Sequence, residues 1–277
     1  MTFQPEQLAG SRADLGALLR DLRKRAGLSQ VRLAQRCNMS QTKLSNVETG
    51  RAGPTLVDVE LILRALEATP AETAEVMSLA RLTRTEWQNK RTSRRRGLEK
   101  RQAELAGLES EATVLRYFLP AIVTGLLATP KYASAGLSGS PGDKSVTLAR
   151  KLERQAILYD TTKSFTFLLT EQAVRWPLLH RAGMAVQVDR LISLSHLPNV
   201  RIGLLPTDSA TCRGPMNTFT VYDHRLTTVE TFTGRIVFQD ARDIAENLGA
   251  FGTYEHLALF GDAARNLLTH WATHFRS

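Results

Sequence analysis

Between Gln30 and Arg51 the chain carries side chains suited to hydrogen bonding and to anion contact rather than to bond making. The carboxamide of Gln41 can give and accept one hydrogen bond in a single plane, as the N6/N7 edge of adenine requires. Thr42 offers a methyl group of the kind that packs on a thymine methyl, and Ser45 and Asn46 are short polar groups one turn further on. Gln30, Arg32, Lys43 and Arg51 are candidates for phosphate. Gln30 sits near free N–H groups at a helix N-terminus, where the dipole favours anions. The chemistry of covalent catalysis is missing from the chain. There is no glycine-rich phosphate loop, no HExxH, no CxxC and no serine elbow, so no catalytic residue and no cofactor are expected.

These side chains need short helices to aim them. Leu15, Leu18, Leu19 and Leu22 recur at helical spacing and predict a helix over about 12–26, ended by Gly27. Ser29 and Ser40 stand where N-caps belong, before two short helices that carry Leu33 and Ala34, then Leu44 and Val47. Asn38 lies in the gap between them and tolerates the left-handed turn a tight connection needs. Further helices are expected over about 56–67 and 70–82. With Leu44 and Val47 turned inward, a step of about 100° per residue points Thr42, Ser45, Asn46 and Thr49 outward, with Gln41 on the flank of the first turn. Lys43 lies to the side, towards phosphate.

Counting Gln30 as one, Ala34 is five, Asn38 nine, Leu44 fifteen and Val47 eighteen. A small residue at five lets two helices cross closely, and branched apolar residues at fifteen and eighteen lock the third helix on the core. On this spacing LSQVRLAQRCNMSQTKLSNVETGRAGPT resembles the helix-turn-helix family of phage repressors and xenobiotic-response-element regulators, with Asn38 where that family usually has Gly. The resemblance implies base contacts from Gln41, Thr42, Ser45 and Asn46, and double-stranded DNA as partner. A recognition helix reads bases mainly with its N-terminal residues. One such helix reads few base pairs, so a homodimer on a pseudo-palindromic site is expected.

The net charge is +9, and its distribution is uneven. Residues 1–82 carry +2, residues 83–101 carry +6 and residues 102–277 carry +1. The middle segment, with Lys90, Arg91, Arg94, Arg95 and Arg96, reads as a basic helical linker over 83–104 and a possible strap across phosphates. The expected division is therefore a helix-turn-helix domain over 1–82, that linker, and a second domain over 105–277 for effector or partner binding and for dimerisation.

The second domain reads as α+β with a mainly antiparallel sheet. A helix is expected over 98–117, on a stripe of Leu98, Leu105, Leu108, Ala112, Leu115 and Leu119. TGLLATPKYA reads as a turn into another helix, and an amphipathic helix follows over 144–159. Strands are expected at 164–169, 200–205, 217–222, 227–232 and 235–238, the last three as a meander. Helices are expected near 184–196, 240–249 and 253–274. This order, with GLESEATVLRYFLPAIVTGLLATPKYA, FLLTEQAVRWPL, LPNVRIGLLP and MNTFTVYD, resembles the second domain of actinobacterial regulators related to WhiJ, which are antitoxin-like. That resemblance implies control by a small protein encoded nearby. Two alternatives stay open: an antitoxin that sequesters a small toxic partner and autoregulates its operon, and a small-molecule-sensing repressor with Trp176, Phe219, Tyr222 and Phe232 around a ligand.

All six histidines lie in this domain, and only His270 and His274 stand at i, i+4. No cysteine or carboxylate lies at a telling offset from them, so no metal is expected. Glu171 and Arg175 are expected to form an ordinary helical ion pair. Two cysteines, Cys37 and Cys212, make neither a disulfide framework nor a four-ligand zinc site. The first twenty residues lack a basic start followed by an apolar run, and the longest weakly polar stretch, 118–130, falls short of the roughly 20 residues of a membrane span. The expectation is a cytoplasmic, nucleoid-associated protein with no membrane partner.

Overall fold

The computed structural model describes residues 5–83, 85–89, 98–139, 144–208, 214–232 and 234–277. The chain divides into two compact units, Met1–Trp87 with Ile236–Asp240, and Gln88–Arg235 with Ala241–Ser277.

The first unit is built from α1 (Pro5–Arg25), α2 (Gln30–Arg36), α3 (Gln41–Glu48), α4 (Leu56–Ala65) and α5 (Pro70–Leu82). The expected caps are present. Ser29 accepts the Arg32 N–H at 3.2 Å and Ser40 accepts the Lys43 N–H at 3.1 Å. Asn38 makes the turn between α2 and α3 at φ 52°. Leu15, Leu19, Leu33, Ala34, Leu44, Val47, Val59 and Ile62 meet in one core. A Cβ on Gly16 would lie 2.6 Å from the Val47 carbonyl oxygen, so α1 and α3 cross backbone to backbone there. Thr55 and Asp58 close a capping box on α4, as the Asp58 N–H gives to Thr55 Oγ1 and the Thr55 N–H gives to Asp58 Oδ2.

The stretch expected as a helical linker begins instead with a strand, β1 (Thr85–Asn89). Its TEWQN sequence alternates a β-branched and an aromatic residue with polar ones, which suits an extended chain better than a helix. Residues 90–97, with Lys90, Arg91, Arg94, Arg95 and Arg96, lie outside the described residues, as does Cys212.

The second unit opens on α6 (Leu98–Glu111), and the expected long helix ends there. Val114–Leu119 is strand β2. Leu115 and Leu119 continue the helical stripe of Leu105 and Leu108 by spacing, yet VLRYFL is also a short, largely apolar run with a β-branched and two aromatic residues, and burial between two strands decides for that reading. Then come α7 (Pro130–Ala135, capped by Thr129), α8 (Ser145–Glu153) running into a 3-10 turn over Arg154–Tyr159, β3 (Ser164–Thr170), α9 (Glu171–Arg175), α10 (Arg181–Leu194) and β4 (Val200–Leu205). The chain closes with β5 (Phe219–Tyr222), β6 (Leu226–Glu230), β7 (Gly234–Phe238), α11 (Ala241–Leu257) and α12 (Gly261–Arg276). The break between the last two helices falls at 258–260, just ahead of Gly261 at φ 58°, rather than near residue 250.

Strands β2 to β6 lie in the order β6-β5-β2-β3-β4. β5 pairs antiparallel with β6, as the expected meander requires; β2 pairs antiparallel with β5 and parallel with β3, and β3 pairs parallel with β4. The α+β class holds, with a mixed sheet. One face carries Phe118, Leu168, Phe219 and Val221 against Ile244, Phe251 and Tyr254 of α11. The other carries Leu115, Tyr117, Phe165 and Phe167, with Tyr117 stacked on Phe167 at 4.8 Å. No helix among the described residues is long and apolar enough to cross a membrane.

Candidate nucleic-acid interface

The exposed N-termini of α2 and α3 are brought side by side by the turn at Asn38. Gln41, Thr42 and Lys43 are exposed on the first turn of α3, and Arg32, on α2, and Arg51, beyond the end of α3, are exposed as well. Ser45 and Asn46 are half-buried deeper along the helix. The structure therefore joins Gln30 and Gln41, with Thr42 next to Gln41 on the same turn, while Arg32 lies on α2 and Arg51 follows the C-terminal end of α3.

Gln30 and Gln41 are joined amide to amide, with Gln41 Nε2 giving to Gln30 Oε1 at 3.4 Å. Gln30 Nε2 in turn gives to Glu48 Oε2 at 2.8 Å. Glu48 lies in the last turn of α3 and is buried. Arg23 of α1 grips it with two arms, Nε to Oε1 at 2.6 Å and Nη2 to Oε2 at 2.9 Å, and its third arm reaches the Leu28 carbonyl oxygen at 2.8 Å. Arg20 Nη2 gives to the Glu48 carbonyl oxygen at 3.0 Å. The hydrogen bond to Glu48 raises the Arg23 pKa further above its usual value, so the guanidinium stays charged inside the domain.

Sequence reasoning did not find Arg23, Glu48 or Arg20. One signal was present. On the wheel of α3, Glu48 falls closer to the inner face of Leu44 and Val47 than to the outer one, and a carboxylate there must be paired. Its partner is 25 residues away in the chain and could not be named from spacing.

Lys43 is committed elsewhere. Its ammonium meets Asp58 Oδ1 at 2.7 Å, against the capping box of α4. Burial pushes the Asp58 carboxyl up, but the hydrogen bond from Lys43 and those from Thr55 outweigh it and hold it below the usual range. A phosphate at Lys43 must compete with that carboxylate.

In the second unit, Glu171 and Arg175 form the expected ion pair on α9. Glu171 also accepts the Thr207 N–H at 3.0 Å. With Asp208, His270, Trp271 and His274 they line an open groove of about 450 Å³. No group of three or more metal-ligating side chains lies together among the described residues. The four aromatic residues considered as pocket lining are not gathered. Phe219 and Tyr222 are buried in the sheet on opposite faces, while Trp176 and Phe232 are exposed.

Comparison with known proteins finds a family in each half of the chain. A helix-turn-helix domain family matches residues 14–76. No curated protein matches the chain. Among solved structures, the chain is similar to TrmBL2, an archaeal chromatin protein whose structure is described as showing a novel mode of DNA binding, at 10% identity and a TM-score of 0.34; the match covers 64% of this chain and 53% of that one. Residues 102–270, more than half of the chain, match the family described as a domain of unknown function (DUF5753), so the chain belongs to that family and carries a helix-turn-helix domain ahead of it.

Proposed function

We propose that the protein is a sequence-specific DNA-binding transcription regulator of the repressor type. It acts in the cytoplasm, associated with the nucleoid, as a homodimer that sets two α3 helices in successive major grooves about 34 Å apart on a pseudo-palindromic operator. Gln41 reads an adenine edge, Thr42 packs beside it, and Ser45 and Asn46 contribute further along. Gln30, Arg32 and Arg51 meet phosphates, with Arg94, Arg95 and Arg96 as a strap. The second domain controls this activity by binding a small protein encoded nearby.

The observation that carries the reading is the Gln30–Gln41 pair, held on a buried Glu48–Arg23 base at an exposed edge of two helix N-termini. Two carboxamides prepositioned on a rigid base lose little freedom on meeting a base and a phosphate. The test is a fluorescence-anisotropy titration of the full-length protein with the promoter region of its own gene and with a scrambled duplex at the same salt. A preference of about 10³-fold or more is expected. Equal, salt-sensitive binding to both, repeated over duplexes tiling the region, would sink the sequence-specific reading.

A second reading, a repressor that senses a small molecule, is favoured only by the groove at Glu171, Arg175 and His270. Thermal stabilisation of the protein by a metabolite would support it over the protein-effector version.

A further inference from the structure

Helix α4 turns a second face away from its core. Val59, Ile62 and Leu63 are buried in the first unit. A step of about 100° per residue puts Val57, Leu61 and Arg64 on the opposite side, with Glu60 on the flank shared with Arg64. Val57 is 63% exposed and Leu61 37% exposed. A single exposed apolar side chain needs no explanation. Here two of them stand one turn apart, beside one acidic and one basic residue. Glu60 and Arg64 are both exposed, and neither side chain takes part in an ion pair or hydrogen bond among the described residues.

We propose that this face of α4 is the surface on which two copies of this chain meet. Two helices packed antiparallel about a twofold axis perpendicular to both bring like flanks together, because an isologous contact repeats the same patch on both sides. A dyad across the middle of α4 then sets Glu60 of one copy beside Arg64 of the other, twice. Leu61 comes to the axis, and Val57 packs against the aliphatic stem of the facing Arg64. A parallel pairing sends the charged flanks to opposite sides and forms no such pairs. The charge pattern thus selects both the occupant, a second copy, and its direction. One pair of ten-residue helices is smaller than the roughly 1,600 Å² of a standard interface, so the contact is concentration-dependent. The inference rests on the dimeric reading above and names the surface it uses.

The experiment is sedimentation velocity of the full-length protein over a concentration series, for wild type, Glu60→Arg, Arg64→Glu and the double swap. Each single swap sets like charges face to face, and it is expected to raise the dimer Kd about tenfold or more; the double swap restores it. A second readout uses Leu61→Cys in a Cys212→Ser background, with Cys37 buried in the core. Mild oxidation is expected to cross-link Leu61→Cys across the dyad and to leave Val31→Cys, at 51% exposure, uncross-linked. A wild-type dimer indifferent to both swaps, with no Leu61→Cys cross-link, overturns the α4 surface and leaves the dimeric reading standing. A wild type that stays monomeric and binds its operator one to one overturns both.

Discussion

Glu48 in the first unit and Glu109 in the second are each 1% exposed, and each takes two arms of one arginine. Arg23 and Arg154 are their partners. For Arg154, burial pulls the pKa down, but the charge of Glu109 and its hydrogen bond outweigh this and leave it raised. The two pairs differ in their third member. Glu48 accepts from Gln30, which leads on to exposed Gln41. Glu109 accepts from the hydroxyl of Tyr117, which is buried under Phe167. The same device serves as a pedestal for a surface group in one place and as a lock between α6, β2 and the 3-10 turn in the other. A buried ion pair therefore does not announce function by itself; where its spare hydrogen-bonding capacity leads does.

The largest expected effect separates breaking a pair from replacing it. Arg154→Ala strands a buried carboxylate and should cost about 3–5 kcal/mol in chemical denaturation. The apolar triple Glu109→Leu, Arg154→Met, Tyr117→Phe should recover most of that loss, because the lock only fills space. In the first unit the apolar pair Arg23→Met, Glu48→Leu should likewise keep the domain folded, yet lower operator affinity by removing the base under Gln30. An unchanged affinity in that folded variant would erase the distinction between pedestal and lock.

Smaller effects sharpen it. Gln41→Ala should cost about 1–3 kcal/mol at the operator and relax one base position. Gln30→Ala removes a hydrogen bond to the buried Glu48 carboxylate and should cost about 1.5–3 kcal/mol of stability while also weakening DNA binding, two effects separated by pairing thermal melts with anisotropy. Replacing Arg32 and Arg51 by Ala should reduce the salt slope of binding by about 0.9 per lost phosphate contact, and an identical slope would leave them as solvated side chains. The smallest effects are in pH. Asp58 is held below its unfolded value, so its stabilisation is complete above about pH 4 and is lost as pH falls through the folded value; Lys43→Met should flatten that acid limb. Tyr117, raised by burial and by the charge of Glu109, works the other way: its stabilisation is present below about pH 10 and lost as pH rises beyond it. Tyr117→Phe should lessen the alkaline loss of the second unit and leave the share of Tyr132 and Tyr222, which burial also raises.

What the sequence revealed divides along range. Ala34, Asn38, Leu44 and Val47 are tied by spacing within one motif, and their helices, caps and left-handed turn stand where spacing puts them. SFTFLL and VRIGLL are strands because each is a short apolar run rich in residues that suit a pleated surface. The parallel pairing of β2 with β3 and of β3 with β4 was not legible, since partner choice joins residues far apart in the chain, such as Leu115 and Phe165. β2 itself was hidden by coincidence: Leu105, Leu108, Ala112, Leu115 and Leu119 fit a helical stripe, and only the sheet shows that the last two belong to another period. At the interface, Gln41 and Thr42 were legible as outward residues. The pedestal beneath them was not, because Arg23 and Glu48 meet only once α1 and α3 cross at Gly16. Lys43 likewise reads as a free cation until α4 brings Asp58 to it.

Lys163 has a mechanical consequence. Its ammonium holds the Ser110 and Ala112 carbonyl oxygens, both at 2.6 Å, at the end of α6. Asp223 Oδ1 receives the next two N–H groups, of Thr113 and Val114. Helix therefore becomes strand within two residues, with the Ser110, Ala112 and Thr113 carbonyls and the Ala112, Thr113 and Val114 N–H groups at the junction held. There is no slack at that joint. Torque applied along α6 reaches β2, the strand between β3 and β5, as through a crank pinned to its shaft, and a glycine inserted after Ala112 would act as a universal joint.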